Sequence, residues 1–211
     1  MTIALENLSE IHTDVLREVG NIGAGNAMTS LATMLDCKVD MSVPRVSLMS
    51  LSEFAQMTGG AEALSVGIYM PVEGEAPGHV AFLLPEQAAM RLVDRLLGRA
   101  PGETTELGDL ECSALMEVGN ILTSSHLMAI CDMTGLQLLT CPPALAYDMT
   151  AAILSSIAVN FASLEERAVT IVTRIEEASD TMEGYFIYVP EPESLMRILR
   201  ALGMIEQVTH G

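Results

Sequence analysis

Three polar side chains near the start of the chain have the spacing of one helix face: Asp14, Glu18 and Asn21. Separations of four and three residues place them within about 60° of one another around a helix. Carboxylates pair with cations, and a carboxamide both donates and accepts hydrogen bonds. This first trio could therefore bind a charged or polar partner group, although a single stripe of this kind is also typical of an ordinary solvated helix face.

The same pattern recurs 99 residues later in a second trio, Ser113, Glu117 and Asn120. At this offset five identical residues, Glu-Val-Gly-Asn-Ile, contain the Glu and the Asn of each trio, which indicates an internal repeat. A solvated surface has no reason to keep Glu and Asn at matched positions, so the repeat favours a functional role. The structural alternative is a pseudo-symmetric interface in which the asparagines cap or bridge strands.

Each half of the repeat is predicted to contain a long helix, strands and a short helix. Asn7 followed by Glu10 is typical of a capping box and predicts a first long helix that runs to about Leu35, while Gly135 should end the second. Residues 39–49 should be extended, and 64–84 and 169–189 should form two hairpins. The apolar stripes of the long helices are expected a quarter-turn from the trios, at Ile11, Val15, Val19 and Ile22 and at Leu110, Ala114, Val118 and Ile121.

Helices interleaved with hairpin-joined strands predict an α+β fold. We expect an internally duplicated architecture, in which two helix–strand halves related by an approximate two-fold axis share an antiparallel or mixed sheet with the two long helices on one face. The whole chain, 1–211, should form one domain of two repeats, about 1–100 and 101–211. The loop at 99–102 would join them.

The charge balance excludes several classes of function. Ten Lys and Arg against 28 Asp and Glu give a net charge of −18, so the chain lacks the basic patch that a nucleic-acid or anionic-membrane binder needs. No run of 18 apolar residues and no basic N-terminal leader occur in the sequence. We therefore expect a soluble, cytoplasmic protein without membrane insertion.

Metal and nucleotide chemistry are also disfavoured. The four cysteines and four histidines form no CxxC or HExxH pair, so we expect no bound metal and idle thiols in a reducing compartment. The glycines of the run 20–25 lack the spacing of a phosphate-binding loop and lie within a helical pattern. They are predicted to allow close packing of the backbone against strands or a docked partner.

The two trios resemble a known family signature. In the CheC–CheX–FliY family of chemotaxis phosphatases the pattern is Asp or Ser, three residues, Glu, two residues, Asn, twenty-two residues and Pro. Here each trio is followed at that distance by a proline, Pro44 in the first half and Pro143 in the second. The resemblance includes the flanking segments and extends in effect over the whole chain.

The resemblance implies hydrolysis of the aspartyl phosphate on the response regulator CheY. Asn21 and Asn120 would each orient the attacking water, and Glu18 and Glu117 would pair with the lysine that contacts phosphate in the partner. Asp14 and Ser113 would help docking, and Pro44 and Pro143 would shape the strand that follows. The protein would hold no cofactor of its own, because CheY supplies the Mg²⁺.

The resemblance also implies a second partner, the receptor deamidase CheD. We expect its surface on a helix that opens at Tyr147, Asp148 and Met149, with Asp148 as the main contact, although an acid at a helix start is also favoured by the helix dipole. We expect a monomer. The main alternative is a non-catalytic CheY- or CheD-binding scaffold of the chemotaxis and flagellar switch system.

Overall fold

The computed structural model describes residues 10–35, 39–41, 45–49, 53, 55–56, 58–160, 168–177 and 180–204, and these form five helices and eight strands. The helices are α1 (Glu10–Leu35), α2 (Glu86–Leu96), α3 (Asp109–Thr134), α4 (Thr150–Asn160) and α5 (Pro192–Ala201). The strands are β1 (Val39–Met41), β2 (Arg45–Met49), β3 (Leu64–Gly74), β4 (Gly78–Pro85), β5 (Leu138–Thr140), β6 (Ala144–Met149), β7 (Ala168–Glu177) and β8 (Asp180–Pro190).

All the described strands belong to one sheet, and each pairing between them is antiparallel. The hairpins β3–β4 and β7–β8 meet at the centre through β4 and β8. Strands β1 and β2 of the first half pair with β7, while β5 and β6 of the second half pair with β3. Each half thus completes the sheet of the other. The predicted α+β class is confirmed, and this exchange supports the duplication into two repeats, which stays a prediction.

Two apolar layers cover the two faces of the sheet. On one face, α1, α2, α3 and α5 pack on alternate strand residues such as Phe82 and Phe186, both almost fully buried. On the other face, α4 packs Ile153 and Ile157 against Leu83 and its neighbours. Burial of one such side chain contributes about 1.5–3 kcal/mol. The two long helices therefore lie on one face, as predicted.

The buried faces of the long helices differ from the predicted apolar stripes. Val19 and Val118 are buried, but Ile11 is 66% exposed and Leu110 59% exposed, and Ile22 also faces solvent. Small residues occupy much of the buried surface instead, and on α1 the buried residues are Leu16, Val19, Gly20, Gly23, Ala24, Ala27, Leu31 and Leu35. Glycine and alanine pack there because they allow the helix axes to approach closely. As a result the buried face is the one with small residues, and the large apolar residues lie outside it.

Several predicted boundaries are confirmed. Helix α1 ends at Leu35, and α3 ends before Gly135, whose φ of 72° is the left-handed conformation that glycine adopts at helix ends. Both hairpins occur where they were expected, and each is followed by the predicted short helix of its half, α2 and α5. Asn7, the predicted cap of α1, lies outside the described residues.

A buried carboxylate holds the loop between the halves and positions the start of α3. Asp94 accepts hydrogen bonds from the backbone N–H of Gly102 and of Thr104, at 2.7 and 2.8 Å. Burial raises the pKa of Asp94, but these bonds and one with the Thr104 side chain lower it overall. Arg99 then pairs with Glu111 in the first turn of α3 at 2.7 Å. The loop therefore fixes where the helix of the second trio begins.

Helix α3 is the one helix in the described part of the chain with the length and composition to span a membrane. Half of its most apolar window is buried inside the fold, where it packs against α1 and the sheet. Core helices of soluble proteins have the same properties.

Candidate functional site

The two trios lie on the outward faces of α1 and α3. Glu18 and Glu117 are exposed, and Asn21 and Asn120 are half-buried. Asp14 and Ser113, one turn before each Glu, are exposed as well. The sequence predicted that the trios would flank the core, but their angular distance from the buried face exceeds a quarter-turn, because that face follows the small residues. Both trios are therefore open to a docking partner.

In each trio the carboxamide is hydrogen-bonded to the glutamate one turn before it. Asn21 Nδ2 donates to Glu18 Oε2 at 3.3 Å, and Asn120 Nδ2 donates to Glu117 Oε2 at 3.4 Å. These distances are long for N–H···O bonds, so the contacts orient the amides without holding them rigidly. Because the amide nitrogen faces the carboxylate, the amide oxygen is left to accept a hydrogen bond from another group, such as a water molecule.

The trios differ at their first position. Asp14 forms an exposed ion pair with Arg17 at 2.5 Å, an interaction worth about 0–1 kcal/mol. In the second half Ser113 replaces the carboxylate, and Met116 stands at the position that corresponds to Arg17. The first site therefore has a charged pair at its edge where the second has neutral side chains.

The helices that carry the trios approach each other closely at Gly23 and His126. A Cβ atom at Gly23 would lie 2.9 Å from His126 Cα and from His126 Cδ2, so the position excludes any larger residue. Gly119 has a similar role toward the sheet, since its Cβ would lie 2.9 Å from Ile68 Cγ2. The prediction of close backbone packing is thus correct at Gly23, although the neighbour there is a helix. A Cβ at Gly25 would meet nothing within 4 Å.

His126 is a neutral, buried histidine at this helix crossing. Its Nδ1–H donates to the Leu122 carbonyl at 2.8 Å, and its ring stacks on Phe186 with 4.0 Å between centroids. Within the described residues Nε2 has no hydrogen-bond partner. Burial lowers the pKa of His126 to about 4, although the bond to Leu122 opposes this shift.

The buried His126 should make folding sensitive to acid. The unfolded protein protonates this side chain below about pH 6.5 and the folded protein only near pH 4, so the contribution of neutral His126 to stability is complete above pH 6.5 and is lost as the pH falls toward 4. The difference between the pKa values of the unfolded and the folded protein corresponds to about 3 kcal/mol of unfolding free energy. Urea unfolding at pH 7 and pH 4 should show wild type losing about 3 kcal/mol more than His126→Asn. Equal losses in the two proteins would contradict this role.

A groove with polar and apolar side chains in its lining lies beside the second trio, between α1 and α3. Its volume is about 350 Å³. Its lining, all on these two helices, consists of Asn26, Ser30, Glu117, Asn120, Ile121, Ser124, Ser125 and Met128. Sequence reasoning missed the α1 members of this groove. Their polarity was visible in the sequence, but their position beside Asn120 depends on which faces of the two helices pack together.

The structure describes one of the two motif prolines. Pro143 directly precedes β6, where its fixed φ suits the start of an edge strand, in keeping with its predicted role of shaping the strand that follows. Pro44 lies outside the described residues, so its role stays a prediction.

The segment that was predicted to contact CheD is the end of a strand and not the start of a helix. Tyr147, Asp148 and Met149 belong to β6, and α4 begins only at Thr150. All three residues of the strand are exposed, and Asp148 Oδ1 accepts the backbone N–H of Met149 at 2.7 Å. The helix-dipole explanation for Asp148 is therefore wrong, because the residue is not in the first turn of a helix.

Within the described residues, no group of three or more His, Cys, Asp and Glu side chains is arranged to hold a metal ion. Cys112, Cys131 and Cys141 are free thiols. Each trio presents a carboxylate and a carboxamide that can bind and orient other groups, with Arg17 beside the first trio and serine hydroxyls beside the second.

Comparison with known proteins assigns the chain that carries these two sites to a family. Residues 11–48 and 110–147 match the CheC-like family. Over 200 residues the chain is 34% identical to the CheY-P phosphatase CheC of Bacillus subtilis strain 168, and the alignment covers 93% of this chain and 96% of that protein. The chain belongs to the CheC-like family. The two matched segments of this CheC-like chain each contain one trio and its proline, so the predicted family resemblance is confirmed.

Solved structures of CheC-like and flagellar proteins have the same fold. The crystal structure of Thermotoga maritima FliY superposes with a TM-score of 0.73 at 17% identity, over 93% of this chain and 98% of that one. A FliG–FliM complex from H. pylori gives a TM-score of 0.66 at 14% identity, over 90% of this chain and 100% of that one. At these identities the similarity shows the shared fold alone.

Proposed function

We propose that this CheC-like protein is a phosphatase that hydrolyses the aspartyl phosphate of the response regulator CheY at two sites, one on α1 and one on α3. The observation that carries the proposal is the repeated pair in which an asparagine amide is bonded to an exposed glutamate on an outward helix face. The relative named CheY-P phosphatase, which aligns over nearly the whole chain, supports the same activity.

The geometry suits a reaction that needs positioning more than new covalent chemistry. An aspartyl phosphate is already activated, and the phosphoryl group transfers through a loose transition state in which the attacking water must lie in line. The Asn21 or Asn120 carbonyl oxygen accepts a hydrogen bond from that water and directs its lone pair toward phosphorus. Mg²⁺ held by CheY neutralises the phosphoryl oxygens, so the phosphatase needs no cofactor of its own.

Glu18 and Glu117 serve to dock the partner and to align the adjacent asparagine. Each carboxylate keeps the amide nitrogen turned toward itself and can at the same time pair with a lysine of CheY. This local pairing has to supply the attraction, since the net charge of −18 gives little long-range steering toward an acidic partner. The ion pair beside Asp14 and the hydroxyl of Ser113 would contact the rim of the docked partner.

A non-catalytic scaffold is the second candidate. The fold shared with a FliG–FliM complex means that architecture alone does not distinguish a binding module from an enzyme. The matched Glu and Asn pairs favour the enzyme, because a scaffold does not require a carboxamide held beside a carboxylate in both halves.

One assay separates the two candidates. Purified protein is added to CheY phosphorylated in the presence of Mg²⁺, and the loss of phosphate is followed with time. A phosphatase shortens the phosphate lifetime catalytically, at concentrations well below that of CheY. A scaffold binds the phosphorylated partner and leaves its lifetime unchanged or prolongs it.

We also propose that β6 forms part of a CheD-binding surface. Asp148 is exposed on one face of β6, and the exposed side chains of Tyr147 and Met149 lie on the opposite face, so the strand offers both a carboxylate and apolar groups to a partner. Asp148→Lys should weaken CheD binding at least tenfold in a titration and leave CheY-P hydrolysis unchanged. Asp132→Lys, an equal charge change at an exposed position of α3, is the control. Unchanged affinity of the Asp148 variant would remove this strand from the interface.

The protein would act as a cytoplasmic monomer. Its packed α3 and acidic surface support a soluble protein, and the proposed sites on α1 and α3 are each complete within one chain.

A further inference from the structure

The groove beside Asn120 is unlike a phosphate site. Among its eight lining residues there is one carboxylate and no cation, the other polar groups are amides and hydroxyls, and Ile121 and Met128 add apolar surface. Such a lining repels a free anion but bonds well to backbone N–H and C=O groups and to neutral side chains. At about 350 Å³ the groove is large enough for a short piece of a protein loop. Its occupant should therefore be a loop of the protein that docks on Glu117 and Asn120.

The first site lacks matching hydroxyls at two positions. At the repeat offset, Ala129 corresponds to Ser30 and Gly25 corresponds to Ser124. Ala129 is fully buried, whereas Ser30 is exposed. The two sites thus share the Glu and Asn pair but differ in the surface next to it.

Helix α1 presents separate surfaces to the two sites. At 100° per residue, Ser30 lies about 150° around the helix from the stripe of Glu18 and Asn21. A partner docked on that stripe would not reach Ser30. The Ser30 hydroxyl donates to the Asn26 carbonyl at 3.2 Å, which holds its oxygen in the groove with lone pairs able to accept further bonds.

We propose that Ser30 of α1 is part of the second site, where it binds a backbone loop of the response regulator while Glu117 pairs with the partner's lysine and Asn120 faces its phosphorylated aspartate. This inference rests on the proposed function. It makes the second site a composite of both long helices, so that its affinity for the partner depends on Ser30, which the first site does not use.

The test measures binding and hydrolysis separately in proteins with one working site. Glu18→Lys closes the first site and Glu117→Lys closes the second. Into each background Ser30→Ala is introduced, with Thr33→Ala as the control, since Thr33 is an exposed hydroxyl residue on the same helix outside the groove. The affinity is measured for CheY carrying Mg²⁺ and beryllofluoride as a stable phosphoryl mimic, and KM and kcat are measured with phosphorylated CheY.

With only the second site open, Ser30→Ala should weaken binding and raise KM about fivefold, as expected for the loss of one hydrogen bond, with kcat nearly unchanged. With only the first site open, neither value should change. Equal weakening in both backgrounds, no weakening in either, or no partner binding at the second site would overturn the inference. Selective weakening of binding without hydrolysis in any protein would support the composite site and reject the phosphatase function.

Discussion

Replacing both Asn21 and Asn120 by alanine should reduce the rate of CheY-P hydrolysis to the rate at which CheY loses phosphate unaided. Each amide oxygen is the group that can orient water in its site, because the amide nitrogen already faces Glu18 or Glu117. Loss of one positioned hydrogen-bonding group typically costs about 10²–10³ in rate at its site. Both asparagines are on the surface, so thermal unfolding should change little.

The single variants distinguish two independent sites from one. Asn21→Ala and Asn120→Ala should each retain the activity of the other site, and phosphate-release time courses on both singles, the double and wild type measure this directly. Asn→Asp at either position should be no better than alanine, because a second carboxylate would repel the phosphoryl oxygens. A single variant as inactive as the double would mean that only one site works. A double variant that remains active would exclude the carboxamides as catalysts.

The elements that position these residues could be predicted because they depend on local signals. The length of α1, the Gly135 end of α3 and both hairpins follow from periodicity, capping and turn residues. The trios could be found because the sequence carries them twice at one offset.

The orientation of the long helices could not be predicted from apolar periodicity. Ile11 and Ile22 suggested one buried face, but the approach of α1 to α3 at Gly23 selects another. Which face of α1 is buried depends on the shape of the helix that packs against it, here on the His126 ring that stacks on Phe186. The sequence of α1 alone carries no information about that shape. The groove at Ser30 was missed for the same reason.

The start of α4 was predicted about three residues too early, because hydrogen bonds to residues distant in the sequence determine where this helix begins. Thr150 N donates to the Ala63 carbonyl at 2.8 Å, and the Thr150 hydroxyl bonds to the Ser65 hydroxyl at 2.7 Å. Strand β6 therefore continues through Asp148 to Met149, paired with β3. Nothing in the local sequence distinguishes this end of a strand from the first turn of a helix.

Replacing both Glu18 and Glu117 by lysine should abolish binding of phosphorylated CheY while the protein remains folded. Both carboxylates are exposed, so their removal should change the unfolding free energy by no more than about 0.5 kcal/mol. At the interface, however, each substitution brings a lysine against the lysine of the partner. Juxtaposed like charges cost several kcal/mol, and every 1.4 kcal/mol corresponds to a tenfold loss, so affinity should fall at least about a hundredfold at each site.

The control for this prediction must reproduce its change in net charge, because a less acidic protein would attract an acidic partner more strongly at long range. Glu106→Lys with Asp132→Lys changes two exposed acids outside both trios by the same amount. Titration of each double variant against CheY with Mg²⁺ and beryllofluoride, beside thermal unfolding of both, separates docking from stability. If the control loses affinity to the same extent, the loss does not depend on Glu18 and Glu117, and these carboxylates are not the docking groups. If the Glu18 and Glu117 variant unfolds at a much lower temperature, these carboxylates stabilise the helices and are not the docking groups.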